Sequence, residues 1–104
     1  MTFSQDDRPR AFVAIGECMV ELSEATGGLL RRGFAGDVFN TLWYAKRALP
    51  TDWEVGLQTA LGTDPISDQM MVFFQGAGIA TRRIQRLPDR SPGLYMIHLD
   101  HGGL

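Results

Sequence analysis

The run Gly36-Asp37-Val38-Phe39-Asn40 holds residue types that could do chemistry on a polar ligand. A glycine is followed by an aspartate and, one helical turn later, an asparagine, where an apolar-periodic helix begins. Gly36 permits close backbone approach, and the unpaired amides of a helix start can donate. Asp37 and Asn40 add acceptors and donors together. A polyhydroxylated ligand needs that mixture, whereas a bare phosphate would favour a helix start without an aspartate. Other candidates are weaker. His98, Asp100 and His101 are a thin ligand set, and no metal is expected. Asp64, with Pro65 beside it, reads as a helix N-cap rather than a catalytic acid. Cys18 reads as a small core residue without the cationic neighbours that activate a thiol. Gly76-Ala77-Gly78-Ile79 imitates a phosphate loop, but it closes a helix instead of opening one and reads as a C-cap.

The elements that must position these residues are legible in outline. Residues 1–10 are polar and read as a flexible tail. Ala11 to Ile15 is continuously apolar, as a strand covered on both faces would be. Met19 to Ser23 alternates, and Thr26-Gly27-Gly28 supplies a turn before Leu29-Leu30, which suggests a β-hairpin. Val38, Leu42, Ala45 and Leu49 form the stripe of an amphipathic helix from Asp37, ended by Pro50. Glu54 to Leu61 reads as a second strand, weakened by Gly56. A helix from Pro65 carries Ile66, Met70, Phe73 or Phe74, and Ala77 on its buried side, and Gly78 stops it. Strands are expected around 79–86 and 94–99. This alternation marks an α/β unit with parallel strands and right-handed crossovers. Ligands in such units bind beyond the carboxyl ends of the strands. Gly16-Glu17, Gly36-Asp37 and Gly62-Thr63-Asp64 should therefore share one rim.

The totals narrow the function. A chain of 104 residues is one domain or a piece of one. Its net charge of −2 argues against nucleic acid, which demands a basic face. Arg82, Arg83 and Arg86 are too few for such a patch. No apolar run approaches the length of a membrane span. The single cysteine and the polar start without a signal peptide point to a cytoplasmic setting.

Four blocks, IGECMVEL, GFAGDVFNT, ALGTDPISDQM and RSPGLYMIHLDHGG, stand in order and spacing that resemble the ribokinase-like (PfkB-type) carbohydrate kinases. More narrowly they resemble the subgroup that phosphorylates 2-keto-3-deoxygluconate. The resemblance covers nearly the whole chain from Phe12. It implies the N-terminal portion of a three-layer α/β/α fold over 11–104, with β-hairpin lid segments at about 18–34 and 82–100. It implies a sugar-acid substrate held by Glu21 on the first lid strand, by Gly36, Asp37 and Asn40, and by Tyr95. Plainer roles stand beside these: Asp37 as N-cap, Asn40 as a solvated helix residue, Tyr95 as packing, Glu21 as merely exposed. ATP and Mg2+ are implied for the full-length family. The resemblance places their site, the catalytic aspartate and the arginine for the substrate carboxylate in sequence this chain does not contain. The expectation is a sugar-kinase fragment or degenerate copy, inactive alone. The alternatives are a non-catalytic sugar-acid binder or a module that associates through its lid strands.

Overall fold

The structure is a computed structural model that describes residues 10–98. Continuous apolarity gives β1 (Arg10–Ile15), which runs parallel to β4 (Trp53–Leu61). The strand starts at the last residue of the expected tail, where Arg10 pairs with Trp53 and sets its guanidinium over the indole ring. The rest of the expected tail lies outside the described residues. β5 (Ile84–Arg86) adds on the other side of β4, giving a parallel sheet of order β1-β4-β5. A second sheet, of order β3-β2-β6, is built from β2 (Met19–Glu24), β3 (Leu30–Ala35) and β6 (Leu94–Ile97). A short 3-10 turn at Thr26–Gly28 joins β2 to β3, so the expected first hairpin is present.

The second lid segment differs from expectation. Among the described residues of that segment, 82–98, no hairpin forms: β5 belongs to the main sheet, and only β6 joins the lid, parallel to β2. The strand expected over 79–86 is correspondingly short. Ala80 makes an isolated bridge to Gly56, and the chain then turns so that Arg82 and Arg83 fold back to Glu54.

Two helices cross between the parallel strands. α1 (Asp37–Ala48) buries Phe39 and Leu42, and α2 (Pro65–Gly76) buries Ser67, Met70 and Phe74. Their apolar sides meet Val55, Leu57 and Leu61 of β4 in one core, which Cys18 and Val20 extend towards the lid. Strand alternation puts Glu54, Gly56, Gln58 and Ala60 on the opposite side of β4. On that side Ile15 remains 74% exposed, so the described helices cover one face of the main sheet. Pro65 takes the first helical position and Gly78, at φ +79°, follows the end of α2. Ile79 donates back to the Phe74 carbonyl at 3.0 Å, which confirms Gly76–Ile79 as a helix ending.

Glu54 anchors the return from α2 to β5. Arg82 holds it with two nitrogens and Arg83 with one, at 2.8–3.3 Å. The Arg82 hydrogen bonds, then that of Arg83, push the Glu54 carboxyl down to about 2 from its ordinary 4.5. A carboxyl whose folded pKa is depressed stabilises the fold above its unfolded pKa and loses that contribution as pH falls through the folded value. Thermal melts should therefore show stability declining from about pH 4.5 towards 2, with Glu54→Gln flattening that acid limb. An unaltered acid limb in the variant would show that this cluster contributes nothing.

Candidate functional site

The lid sheet has two unlike faces. Directly paired residues share a face, so Glu21, Gly33 and Tyr95 point one way while Val20, Leu22 and Phe34 point towards the core. On the first face Tyr95 Oη donates to Glu21 Oε1 at 2.6 Å, within the range of charge-assisted O–H···O− bonds. Gly33, opposite Glu21 on β3, puts no side chain against the carboxylate. The hydrogen bond to Glu21, and then partial burial, push the Tyr95 phenol up to about 12 from its ordinary 10; the charges of Glu21, Cys18 and Asp37 add to this. Asp37 thus acts on the same phenol as Glu21. Cys18 is buried, and desolvation pushes its thiol up to about 11, so it stays protonated and inert at neutral pH.

β3 passes into α1 through Gly36, at φ 146° and ψ 159°, a conformation essentially reserved for glycine. A Cβ there would also sit 3.2 Å from the Glu17 carbonyl. The turn is therefore tight, and it lies next to the Met19–Ala35 pair, two residues along β2 from Glu21. Gly36, not Asp37, occupies the N-cap position. Asp37 is the first helical residue, and no side chain caps the helix. The capping role expected for Asp37 is thus overturned by the backbone that Gly36 alone can adopt. The Asp37 side chain is exposed, and its carbonyl accepts from Thr41 Oγ1 at 2.9 Å.

Asn40 completes the first turn of α1, its amide N–H donating to the Gly36 carbonyl at 3.0 Å. Its exposed side chain borders an open hollow of about 430 Å³ with Phe39, Trp43, Tyr44 and Phe73. The structure thus brings Glu21 and Tyr95 into contact and sets the Gly36–Asp37 turn close by. Asn40 is joined to them through the backbone of that turn and by no side-chain hydrogen bond.

The three loops expected at one rim do meet, through residues 90–93, which fall inside the expected second lid segment. Residues 90–93 cross from the Gly62–Asp64 loop to Glu17. Ser91 Oγ donates to Asp64 Oδ2 at 3.0 Å, and Gly93 lies against the Glu17 carboxylate. The local signals here are the turn formers Pro88, Asp89, Pro92 and Gly93, of which Pro88 and Asp89 make the turn, with Asp89 at φ 63°.

A sequence model of the pfkB family carbohydrate kinases matches residues 10–103. The chain belongs to this family. It is 49% identical over 90 residues to a 2-dehydro-3-deoxygluconokinase of Dickeya dadantii, covering 86% of this chain and 29% of that one. It is 44% identical over 95 residues to a 2-dehydro-3-deoxygluconokinase of Escherichia coli K12, covering 90% and 30%. Among solved structures, a fructokinase from Xylella fastidiosa superposes with a TM-score of 0.77 at 19% identity, over 93% of this chain and 31% of that one. At that identity the likeness concerns the fold alone. This pfkB-family chain therefore spans about three-tenths of the length of the relatives it matches.

PfkB kinases are ATP-dependent, and the Xylella fructokinase is also known with bound ATP. Fit to a nucleotide phosphate can be tested at the glycine-rich Gly76–Ile79. Those residues end α2, and Ile79 is buried in the core, so they offer no helix start to an anion. The described residues include no group of three metal-ligating side chains. His98 Nδ1 instead meets Glu24 Oε1 at 2.5 Å; Asp100 and His101 lie outside the described residues. The tempting glycine run therefore does not fit a nucleotide.

The Glu21–Tyr95 bond yields a direct test. In a Tyr44→Phe background Tyr95 is the sole tyrosine, and ultraviolet absorbance reports its ionisation. Glu21→Gln should bring the midpoint down from about 12 towards 10. An unmoved midpoint would mean that the bond does not form in solution.

Proposed function

We propose that this chain is the sugar-binding part of a 2-keto-3-deoxygluconate kinase, with Glu21, Gly36, Asp37, Asn40 and Tyr95 as its contacts to the sugar acid. The observation that carries the proposal is the Tyr95–Glu21 pair beside the Gly36 turn. The names of the relatives supply the substrate class.

The chemistry of the contacts suits a polyol. Glu21 keeps one carboxylate oxygen, Oε2, for a sugar hydroxyl after Oε1 takes the Tyr95 proton. Tyr95, so oriented, holds Glu21 in one rotamer. The first amides of α1 donate, Asp37 accepts, and Asn40 does both. Two carboxylates on this side disfavour the substrate's own carboxylate, which turns away from Glu21 and Asp37. The lid strands exclude water, which would otherwise compete with the hydroxyl for a phosphoryl group. In the complete enzyme ATP supplies that group with Mg2+. The chain alone binds the acceptor without catalysing transfer. Calorimetry should detect saturable binding of 2-keto-3-deoxygluconate, weakened at least about tenfold by Glu21→Ala, consistent with losing a hydrogen bond to a charged group. No ADP should form when ATP and Mg2+ are added. Absence of binding would refute the sugar reading, and ADP formation dependent on the sugar acid would refute the inactivity.

A second role is favoured by β6, where Leu94 and Met96 are each 57% exposed. Among the described residues β6 has a strand neighbour on one side only. We propose that copies associate through this lid strand. Sedimentation should find a dimer that Met96→Lys converts to monomer; a monomeric parent chain would exclude it.

A further inference from the structure

The segment from Leu87 to Gly93 connects the two sheets. It leaves the main sheet where Leu87 N–H donates to the Leu61 carbonyl at 2.7 Å. It then passes so close over the β4–α2 loop that any side chain on Gly62 would overlap the Arg90 carbonyl. Ser91 is tied to Asp64 Oδ2. Pro92 fixes one backbone torsion of the next step. Gly93 is pressed against Glu17, and its carbonyl accepts from Val20 N–H at 2.8 Å, which starts the β2–β6 pairing. Two residues later comes Tyr95.

Asp64 is itself braced. Ser67 Oγ donates to its Oδ1, and the same hydroxyl accepts from Gly62 N–H at 3.1 Å. Arg86 reaches the Gly62 carbonyl at 2.7 Å and pairs with Asp68 on α2. The loop under the segment is therefore rigid. Both Asp64 oxygens go to hydroxyls, and these hydrogen bonds, Ser67 first, hold its carboxyl below the usual aspartate range. A helix cap alone has no need of Ser91, which lies 27 residues away in sequence.

We infer that Ser91 is a positioning residue: bonded to Asp64, it fixes the strap at 90–93 and thereby sets Tyr95 in place against Glu21. The inference rests on the sugar-binding proposal for its functional meaning and on the strap geometry for its structural one. The hydroxyl acts through Tyr95 and touches no substrate.

The test uses the whole chain in the Tyr44→Phe background. Ser91→Ala removes the bond and leaves Ser67 on Asp64; Ser91→Thr keeps a hydroxyl. With Ser91→Ala, the Tyr95 ionisation midpoint should fall from about 12 towards 10. Affinity for 2-keto-3-deoxygluconate should drop about five- to tenfold, the effect of losing one ordinary hydrogen bond. Amide exchange should quicken at 91–96 while α2 stays protected. Ser91→Thr should restore both the midpoint and the affinity. Parental midpoint and affinity in Ser91→Ala, or failure of Ser91→Thr to rescue, would overturn the inference. If the parent binds no sugar acid but Ser91→Ala still shifts the Tyr95 midpoint, the positioning stands and the sugar proposal alone falls.

Discussion

The two sheets share no strand, so everything at the site depends on the apolar contact that holds one against the other. Phe34 of the lid meets Phe73 of α2 edge-on, with ring centroids 5.2 Å apart, and Phe73 lies 4.8 Å from Phe39 of α1. Cys18 and Val20 sink into the same core from β2 and the residues before it. Arg32, beside Phe34, adds a hydrogen bond to Gln69 of α2. Such packing is dense and intolerant of voids, so it fixes the lid's inner face to within the fit of a side chain. The outer face, where Glu21 and Tyr95 meet, inherits its placement from that inner one through strand alternation.

Polar groups refine what the apolar contact sets coarsely. The fold has two kinds of polar device, and they differ in reach. Glu54 with Arg82 and Arg83 sits on the far side of the main sheet and governs how α2 returns to β5. Asp64, Ser67 and Ser91 govern how the chain leaves the main sheet for the lid. The first acts within one sheet, while the second links one sheet to the other. Neither leaves a described buried side-chain nitrogen or oxygen without a partner.

Local rules sufficed where local rules decide. The apolar run of β1, the hairpin turn at 26–28, and the Pro65 and Gly78 limits of α2 follow from composition and capping, and the structure agrees. They failed where a distant partner decides. Nothing near Ile84 indicates that it will pair with Thr59, or that Leu94 will run parallel to Val20. Gly56 reads as a weak point in β4, yet it is buried beneath Ala80 and Arg83, where close approach favours a missing side chain. Asp37 lost its cap role because cap identity follows backbone torsion, and Gly36 holds one that a periodicity argument cannot see. Glu21 and Tyr95 are 74 residues apart, so no local pattern indicates their pairing; the family resemblance implies a sugar contact for each and no bond between them.

The bare side of β1 and β4 has a consequence for the chain in water. Ile15 stands mostly uncovered there, in a hollow it shares with Gln58, Arg83 and Gln85. Attraction between apolar side chains in water weakens on cooling and grows on warming through the ordinary temperature range. Warming would therefore strengthen what pull this lone side chain exerts, while its polar neighbours keep the face wettable.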